Sequence, residues 1–310
     1  NNKFQNFETN FSFKLKNTEI LTSENFINFV KNNGSKILLF LPNIRKLTFE
    51  IDKRKFLFTR SDKNKGNNLI ICTIITDINS KKETLNYYRF SKKINLEGYE
   101  GESEIVVAYP FNKSDFLVEK NKCLNVFFST KEYTGYNFLI HGPFFLDESR
   151  NHVDRGNKNN EIISEKFEEF IVETIEILKE EKILNISFFK LLPTTEDNIE
   201  YLSNIFTKIR EYLNSAKIWP TDLKTYEHKD NVVYGKEKFR KCFSSENLEL
   251  MSIPYKWLEY SNSQNPMLYI NQGLKELDRD FVEEIDNDKL KIFFTTRSDV
   301  QLSQLYLLFL

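Results

Sequence analysis

Hydrophobic and polar positions alternate with a period of two through most of the first 140 residues, and the period lengthens to three and four after residue 160. Phe11, Phe13 and Leu15 alternate with polar residues as a half-buried strand does. Ser23 then stands as the N-cap of a short helix carrying Phe26, Ile27, Phe29 and Val30. Runs rich in β-branched and aromatic residues follow at 37–41, 44–51, 56–60, 69–77, 84–91 and 104–109. Turn-prone stretches such as Pro42-Asn43 and Lys65-Gly66-Asn67-Asn68 separate them, so a mainly antiparallel sheet is expected. Segments 123–129 and 136–140 continue it.

A polar stretch over 147–160 leads into the longest predicted helix, where Ile163, Phe167, Phe170, Ile171, Thr174 and Leu178 share one face and acidic residues the other. A second helix over 196–214 repeats the pattern with Ile199, Leu202, Ile205, Phe206, Ile209 and Leu213. A third, over 298–310, has Ser298 as N-cap and Leu302, Leu305, Tyr306 and Phe309 on one side. The fold class is therefore α+β: a mainly antiparallel sheet with packed helices over 23–192, then a smaller helical or mixed region over 193–310, with a boundary near 191–195. The missing initiator Met and the uncapped last helix lead to the expectation that the chain belongs to a longer polypeptide.

Charge and cysteines narrow the function classes. Lys and Arg total 44 against 45 for Asp and Glu, so no net basic excess drives binding to nucleic acid or acidic membranes. Clusters such as Lys53-Arg54-Lys55, Lys63 with Lys65, and Lys238 with Arg240 and Lys241 are scattered and read as solvated faces. Cys72, Cys123 and Cys242 lie far apart without CxxC spacing, which argues against a disulfide framework or a zinc site and for a reducing, cytoplasmic setting. No apolar run is long enough to span a bilayer, and neither a membrane partner nor export is expected.

Self-contained catalytic chemistry is missing from the pattern. Gly98-Tyr99-Glu100-Gly101 is the nearest approach to a phosphate-cradling loop and reads as a turn. There is no HExxH, GxSxG or Cys-His pairing, and His141, His152 and His228 are scattered, so no metal site is expected. Glu180 and Lys182 form an ExK pair on a predicted helix end, which is discounted as chemistry.

Five stretches, in order, resemble sacsin-like members of the GHKL ATPase superfamily, to which the heat-shock chaperones belong. Asn10-Phe11-Ser12-Phe13-Lys14-Leu15 resembles the closing strand of the ATPase domain, and residues 36–47 resemble the strand pair that opens the following transducer domain. The fullest match is Asn125-Val126-Phe127-Phe128-Ser129-Thr130 followed by Thr134-Gly135-Tyr136 and on through His141, Phe145-Leu146 and Arg150. The family has a Pro-Thr pair where this chain has Ser129-Thr130. Ile218-Trp219-Pro220-Thr221-Asp222 and Gly273-Leu274-Lys275-Glu276-Leu277 resemble later family segments.

The resemblance implies a transducer-type middle domain with a left-handed β-α-β unit over 23–192, preceded by the remnant of an ATPase domain over 1–22. The magnesium-binding Asn helix, the Asp-x-Gly-x-Gly loop and the Gly-rich lid have no counterpart here. ATP and Mg are thus implied for the intact protein, and none within this chain, whose first partner is its own upstream ATPase domain. Relatives of this kind serve chaperone-like, phage-defence and DNA-associated systems. Ser149-Arg150 resembles the family loop whose arginine reaches the γ-phosphate, an arginine-finger role for Arg150. Lys131, after the Ser-Thr pair, is a second candidate because gyrase-type transducers use a lysine there. Arg155 is a third, and Ser149 and Asn151 are candidates for orienting the loop. The plain alternative for Arg150 is a surface arginine paired with Asp147, Glu148 or Asp154, and for Lys131 a solvated turn lysine. Two other functional readings stay open: a non-catalytic module binding a partner protein or a second copy, and a segment of a gyrase-type DNA clamp, which needs a basic stripe.

Overall fold

A computed structural model of the chain describes residues 23–41, 43–51, 53–98, 101, 103–119, 123–192, 202–235, 240–241, 243–250, 255–260, 266, 270 and 282–285. The strand expected at Phe11–Leu15, Cys242, most of the 193–202 stretch, the Gly273–Leu277 segment and the helix expected over 298–310 lie outside them. The chain divides into two compact units, Asn1–Arg60 with Ile74–Glu83, and Ser61–Thr73 with Thr84–Leu310.

The first unit opens with helix α1 (Ser23–Phe40). The helix expected at Ser23 is present but does not stop where the periodicity weakens. The run 37–41, expected as a strand, is its last turn, with Ile37, Leu38, Leu39 and Phe40 all buried. A short continuous apolar run carries no period, so a buried helix end and a buried strand read alike. Of the 36–47 segment, only the part from Lys46 onward is a strand. Arg60 secures the helix end: its Nη1 donates to the carbonyls of Leu38 and Leu39 at 3.0 Å each and of Leu41 at 3.3 Å, satisfying acceptors that a helix C-terminus leaves open. Gly34 is required where α1 meets Phe58, since a Cβ there would lie 2.4 Å from the ring.

Strands β1 (Lys46–Ile51), β2 (Arg54–Gly66), β3 (Leu69–Ile78), β4 (Lys81–Ile94) and β5 (Ser103–Asn112) form the expected antiparallel meander. The short β6 (Asp115–Phe116) folds back on β5. Beyond β5 the sheet order is β9 (Leu139–His141), β7 (Cys123–Val126), β8 (Phe128–Tyr133). The 123–129 run is therefore split, at Phe127, whose φ of 61° turns the chain into a hairpin. β7 and β9 are parallel, with Asn125 opposite His141, and β8 rather than a helix lies between them in sequence.

Helix α2 (Lys158–Glu180) buries the predicted apolar face, and Asn157 caps its start by accepting from the Asn159 amide. Its Thr174 Oγ1 meets Tyr109 Oη of β5 at 2.7 Å, pairing two polar atoms inside the core. Helix α3 (Ser203–Ser215) packs on α2. The core that includes Phe167, Phe170 and Leu178 continues through Leu202, Ile209 and Trp219, on both sides of 191–195. The remaining described chain is mixed: β10 (Trp219–Pro220) pairs with β11 (Tyr226–Glu227), and β12 (Val232–Gly235) runs parallel to both β13 (Lys256–Trp257) and β14 (Glu283–Ile285). Helix α4 (Ser245–Leu250) lies between β12 and β13 in sequence, so a parallel pair with a helix between its strands occurs here.

Candidate functional site

The chain leaves β9 at His141, and an antiparallel bridge between Leu146 and Val153 pinches the following polar stretch into a six-residue loop, 147–152. Asp147 organises it. Ser149 Oγ lies 2.9 Å from both carboxylate oxygens, and the amides of Asn151 and His152 donate to Oδ1 at 3.1 and 3.3 Å. Main-chain bonds from Asp147 N to His152 O and from Arg150 N to Asp147 O, each 2.9 Å, close the turn. Short polar side chains that bind their own backbone two to four residues on are what hold such turns without hydrophobic packing. Slight burial raises the Asp147 pKa, but the Ser149 hydroxyl and the His152 and Asn151 amides outweigh it and hold the carboxyl below its usual range.

Two anchors tie this loop to the scaffold. Asn160, fully buried in the first turn of α2, accepts from Phe145 N at 2.8 Å and donates to Phe145 O at 3.0 Å and Asp154 O at 2.8 Å. On the other side Lys131 N donates to Asn151 O at 2.9 Å, and Glu132 Oε1 receives Val153 N at 3.0 Å with His152 Nδ1 at 3.2 Å. The loop thus bridges the sheet edge at β8 and the start of α2.

Of the residues singled out from sequence, Arg150, Lys131, Ser149 and Asn151 are brought together. Arg150 sits at the exposed tip in the left-handed region, φ 57°. Its guanidinium has no ion pair among the described residues: of the two acids before it in the loop, Asp147 is engaged by the loop itself, and Glu148 is exposed and does not pair with it. Lys131 is exposed on β8, bonded through its backbone to the residue after Arg150. Ser149 and Asn151 turn inward: Asn151 Nδ2 donates to Ser149 O at 3.2 Å and to Ser149 Oγ at 3.0 Å. Both therefore shape the loop. Arg155 lies outside it, in the bend where Gly156 N donates to Asp154 Oδ1 at 2.9 Å, and belongs to the approach to α2.

Behind the loop His141 is buried, with Phe127 N donating to its Nδ1 at 3.2 Å and the Phe127 ring against its face. Burial first, and then the charge of buried Arg89, push its pKa down to about 3, against a partial upward pull from the Asn125 carbonyl. His141 is a neutral core residue. Glu180 and Lys182 do not form a site together: Glu180 ends α2 and Lys182 follows its cap. Among the described residues no three His, Cys, Asp or Glu side chains gather in a way that could hold a metal, and no helix is long and apolar enough to cross a membrane.

No protein-family model, curated protein or solved structure matches this chain. What is known of the site is thus its own geometry. Two residues that build it carry no catalytic signature in sequence. Asp147 has a readable sign, an Asp-x-Ser-x-Asn pattern suited to side-chain-to-backbone turns. Asn160 has one too, being a polar residue three before Ile163 and seven before Phe167, on the face predicted to be buried.

Proposed function

We propose that the chain is the coupling segment of a larger ATP-driven protein, and that Arg150 is the residue by which it senses the nucleotide. In this reading a preceding domain holds ATP and Mg, and the 147–152 loop carries Arg150 to the γ-phosphate when the domains close. The observation that supports it most is the state of Arg150: exposed and without an ion pair among the described residues, on a loop whose Asp147 carboxylate is occupied by that loop's hydroxyl and amides. An arginine offered to a phosphate must not be neutralised at home. A planar, permanently charged guanidinium can then offset charge that develops on the phosphoryl oxygens. Lys131 stands beside it as a second cation, suited to attracting the anion rather than to fork-like recognition.

The anchors support coupling as well as presentation. A pull on Arg150 passes through Asn151 O to β8 and through Asn160 to the first turn of α2, so nucleotide state would be felt by the sheet edge and the long helix together. The transducer-type fold and its chaperone-like or phage-defence setting belong to the same proposal and rest on the sequence resemblance. Arg150→Ala in the intact protein should lower ATP turnover about 100-fold or more while leaving ATP binding unchanged. Unchanged turnover would refute the role, as would measured ATPase activity in the 310-residue chain by itself.

One observation favours a second reading, a module that binds a partner protein. Phe127, Phe128 and Tyr133 on the β7–β8 hairpin are 46%, 56% and 51% exposed, an aromatic presence close to the same loop. Loss of partner capture on Phe128→Ser with Arg150→Ala silent would select it. The clamp reading has no such support.

A further inference from the structure

We propose that a cleft at the C-terminal end of α2 binds a small organic phosphate, whose phosphate is taken by Lys113 and Lys182. The cleft has a volume of about 630 Å³, within the range of small-molecule sites and well beyond the needs of a bare anion. Five segments wall it: β4 at Tyr88, the turn between β5 and β6, the chain leaving α2 at 182–185, the β10–β11 hairpin, and Glu259-Tyr260. They are tied to one another. Asn185 Nδ2 donates to Ser114 O at 2.7 Å, Tyr226 Oη donates to Leu184 O at 2.7 Å, and Glu259 N donates to Pro220 O at 2.8 Å. The walls are therefore set before any ligand arrives.

Charge selects the ligand. Lys113, Lys182 and Lys224 line the cleft against Asp115 and Glu259. Glu259 is already committed to Lys224 Nζ at 2.5 Å and to Ile186 N at 3.1 Å, and Asp115 acts on Lys190. Lys113 and Lys182 have no ion pair among the described residues, so the surplus positive charge belongs to them. Their backbones share one conformation. Lys113, Lys182 and Lys224 have φ values of 57°, 56° and 59°, in three separate turns, at positions where glycine or asparagine is the usual occupant. Three turns of this kind thus bring lysines to one cleft, and two of them, Lys113 and Lys182, carry the cations that have no ion pair among the described residues.

The rest of the lining suits an organic body. Tyr226 and Tyr260 line the cleft and spend their hydroxyls on main-chain carbonyls, of Leu184 at 2.7 Å and of Gly235 at 2.5 Å, and the Arg240 guanidinium stacks on one face of the Tyr260 ring. Burial, and then the Glu259 charge, push the Tyr226 pKa up to about 12, so that ring brings no negative charge against an anion. Lysine is a compact point charge that serves phosphate well without demanding planar geometry. The cleft and the Arg150 loop lie at opposite ends of the 23-residue α2, about 34 Å apart at 1.5 Å per residue, so this site stands or falls apart from the nucleotide reading.

Titration calorimetry of the 310-residue chain tests it, with glucose 6-phosphate, phosphoserine and AMP as probes against inorganic phosphate and against glucose, serine and adenosine. The expected result is that at least one monoester binds ten times more tightly than inorganic phosphate and that its dephosphorylated form does not bind. Lys113→Gln and Lys182→Gln should each weaken that binding about tenfold, Lys113→Arg and Lys182→Arg should largely restore it, and Lys53→Gln, a left-handed lysine of the other unit, should leave it unchanged. Both lysines are exposed, so the variants should keep the parent's thermal unfolding midpoint, which is measured alongside. Failure of all three monoesters to bind at millimolar concentration overturns the proposal. So does binding that survives the double Gln variant, or affinity no better than that of inorganic phosphate.

Discussion

Asn160→Ala is the perturbation that probes most directly whether the Arg150 loop is held as described. The side chain is fully buried and makes three hydrogen bonds, one accepted from Phe145 N and two donated, to Phe145 O and Asp154 O, all between 2.8 and 3.0 Å. At about 1 kcal/mol net for each, the truncation costs about 3 kcal/mol, with the half-buried setting of Phe145 letting water recover part of it. Asn160→Asp should cost at least as much, because it keeps an acceptor for Phe145 N but turns an oxygen toward two carbonyls. Since the chain has two compact units, a single global unfolding midpoint can blur the effect. Native-state hydrogen exchange is the better assay: the Phe145 amide should lose protection by the full amount, while amides of β3 and β4 keep theirs. On the proposed nucleotide-sensing role, the same change in a longer protein carrying the ATP site should lower turnover in the direction of Arg150→Ala without altering ATP binding. A loss below about 0.5 kcal/mol with Phe145 still protected would refute the anchoring argument, and with it the idea that the loop is rigid enough to aim a guanidinium.

Two further outcomes follow from buried charge. Arg60→Met should destabilise the first unit by about 3 kcal/mol or more, because three carbonyls at the end of α1 lose a charged donor, and exchange at the α1 C-terminus should report it; unchanged protection would refute the capping role. His141 has a folded pKa of about 3, below its unfolded value of 6.5, so the unfolded chain binds the extra proton between them. Its stabilising contribution is therefore complete above pH 6.5 and is lost by about 1.4 kcal/mol per pH unit as acidity increases toward pH 3. Denaturant unfolding at pH 7 and pH 5 should show the loss, and His141→Gln should flatten it by about one proton; an equal slope in both proteins would refute the assignment.

The meander was legible because alternation and turn residues agree. Each expected strand from 44–51 to 104–109 is present, and those that run longer, such as β2 to Gly66 and β4 from Lys81, extend through polar residues. There backbone pairing continues where neither face has a core to mark it. The run at 37–41 misled because helix and strand differ in period, and four consecutive buried apolar residues have none. The split at Phe127 had no sign at all: a phenylalanine with φ of 61° is held by its contact with His141, a neighbour 14 residues on. Segment 147–160 was legible as a polar loop, and Lys131 and Arg150 as separate candidates, but their adjacency depends on tertiary bonds between β8 and the loop, from Lys131 N to Asn151 O and from Glu132 to Val153 and His152. The cleft at the far end of α2 left no motif, since its lysines come from three turns that only the tertiary fold assembles.

The same accounting of carboxylates connects the two candidate sites. In a chain with 44 basic and 45 acidic side chains, an unpaired cation at the surface is easily neutralised by a neighbour, and i,i+3 pairs such as Lys166 with Glu169 and Lys208 with Glu211 do this along the helices. Cations become available to an outside anion only where nearby acids are given other work. Asp147 is occupied by the hydroxyl and amides of its own loop, and Glu259 by Lys224 and a backbone amide. At each place an acid beside the site builds its frame, and the cation near it, Arg150 in one case and Lys182 in the other, is exposed and has no ion pair among the described residues. Overall charge balance gives no net basic excess to favour a broad basic surface and is compatible with two small, separately framed anion sites. That is the pattern expected of specific phosphate recognition, in contrast to electrostatic adhesion to nucleic acid.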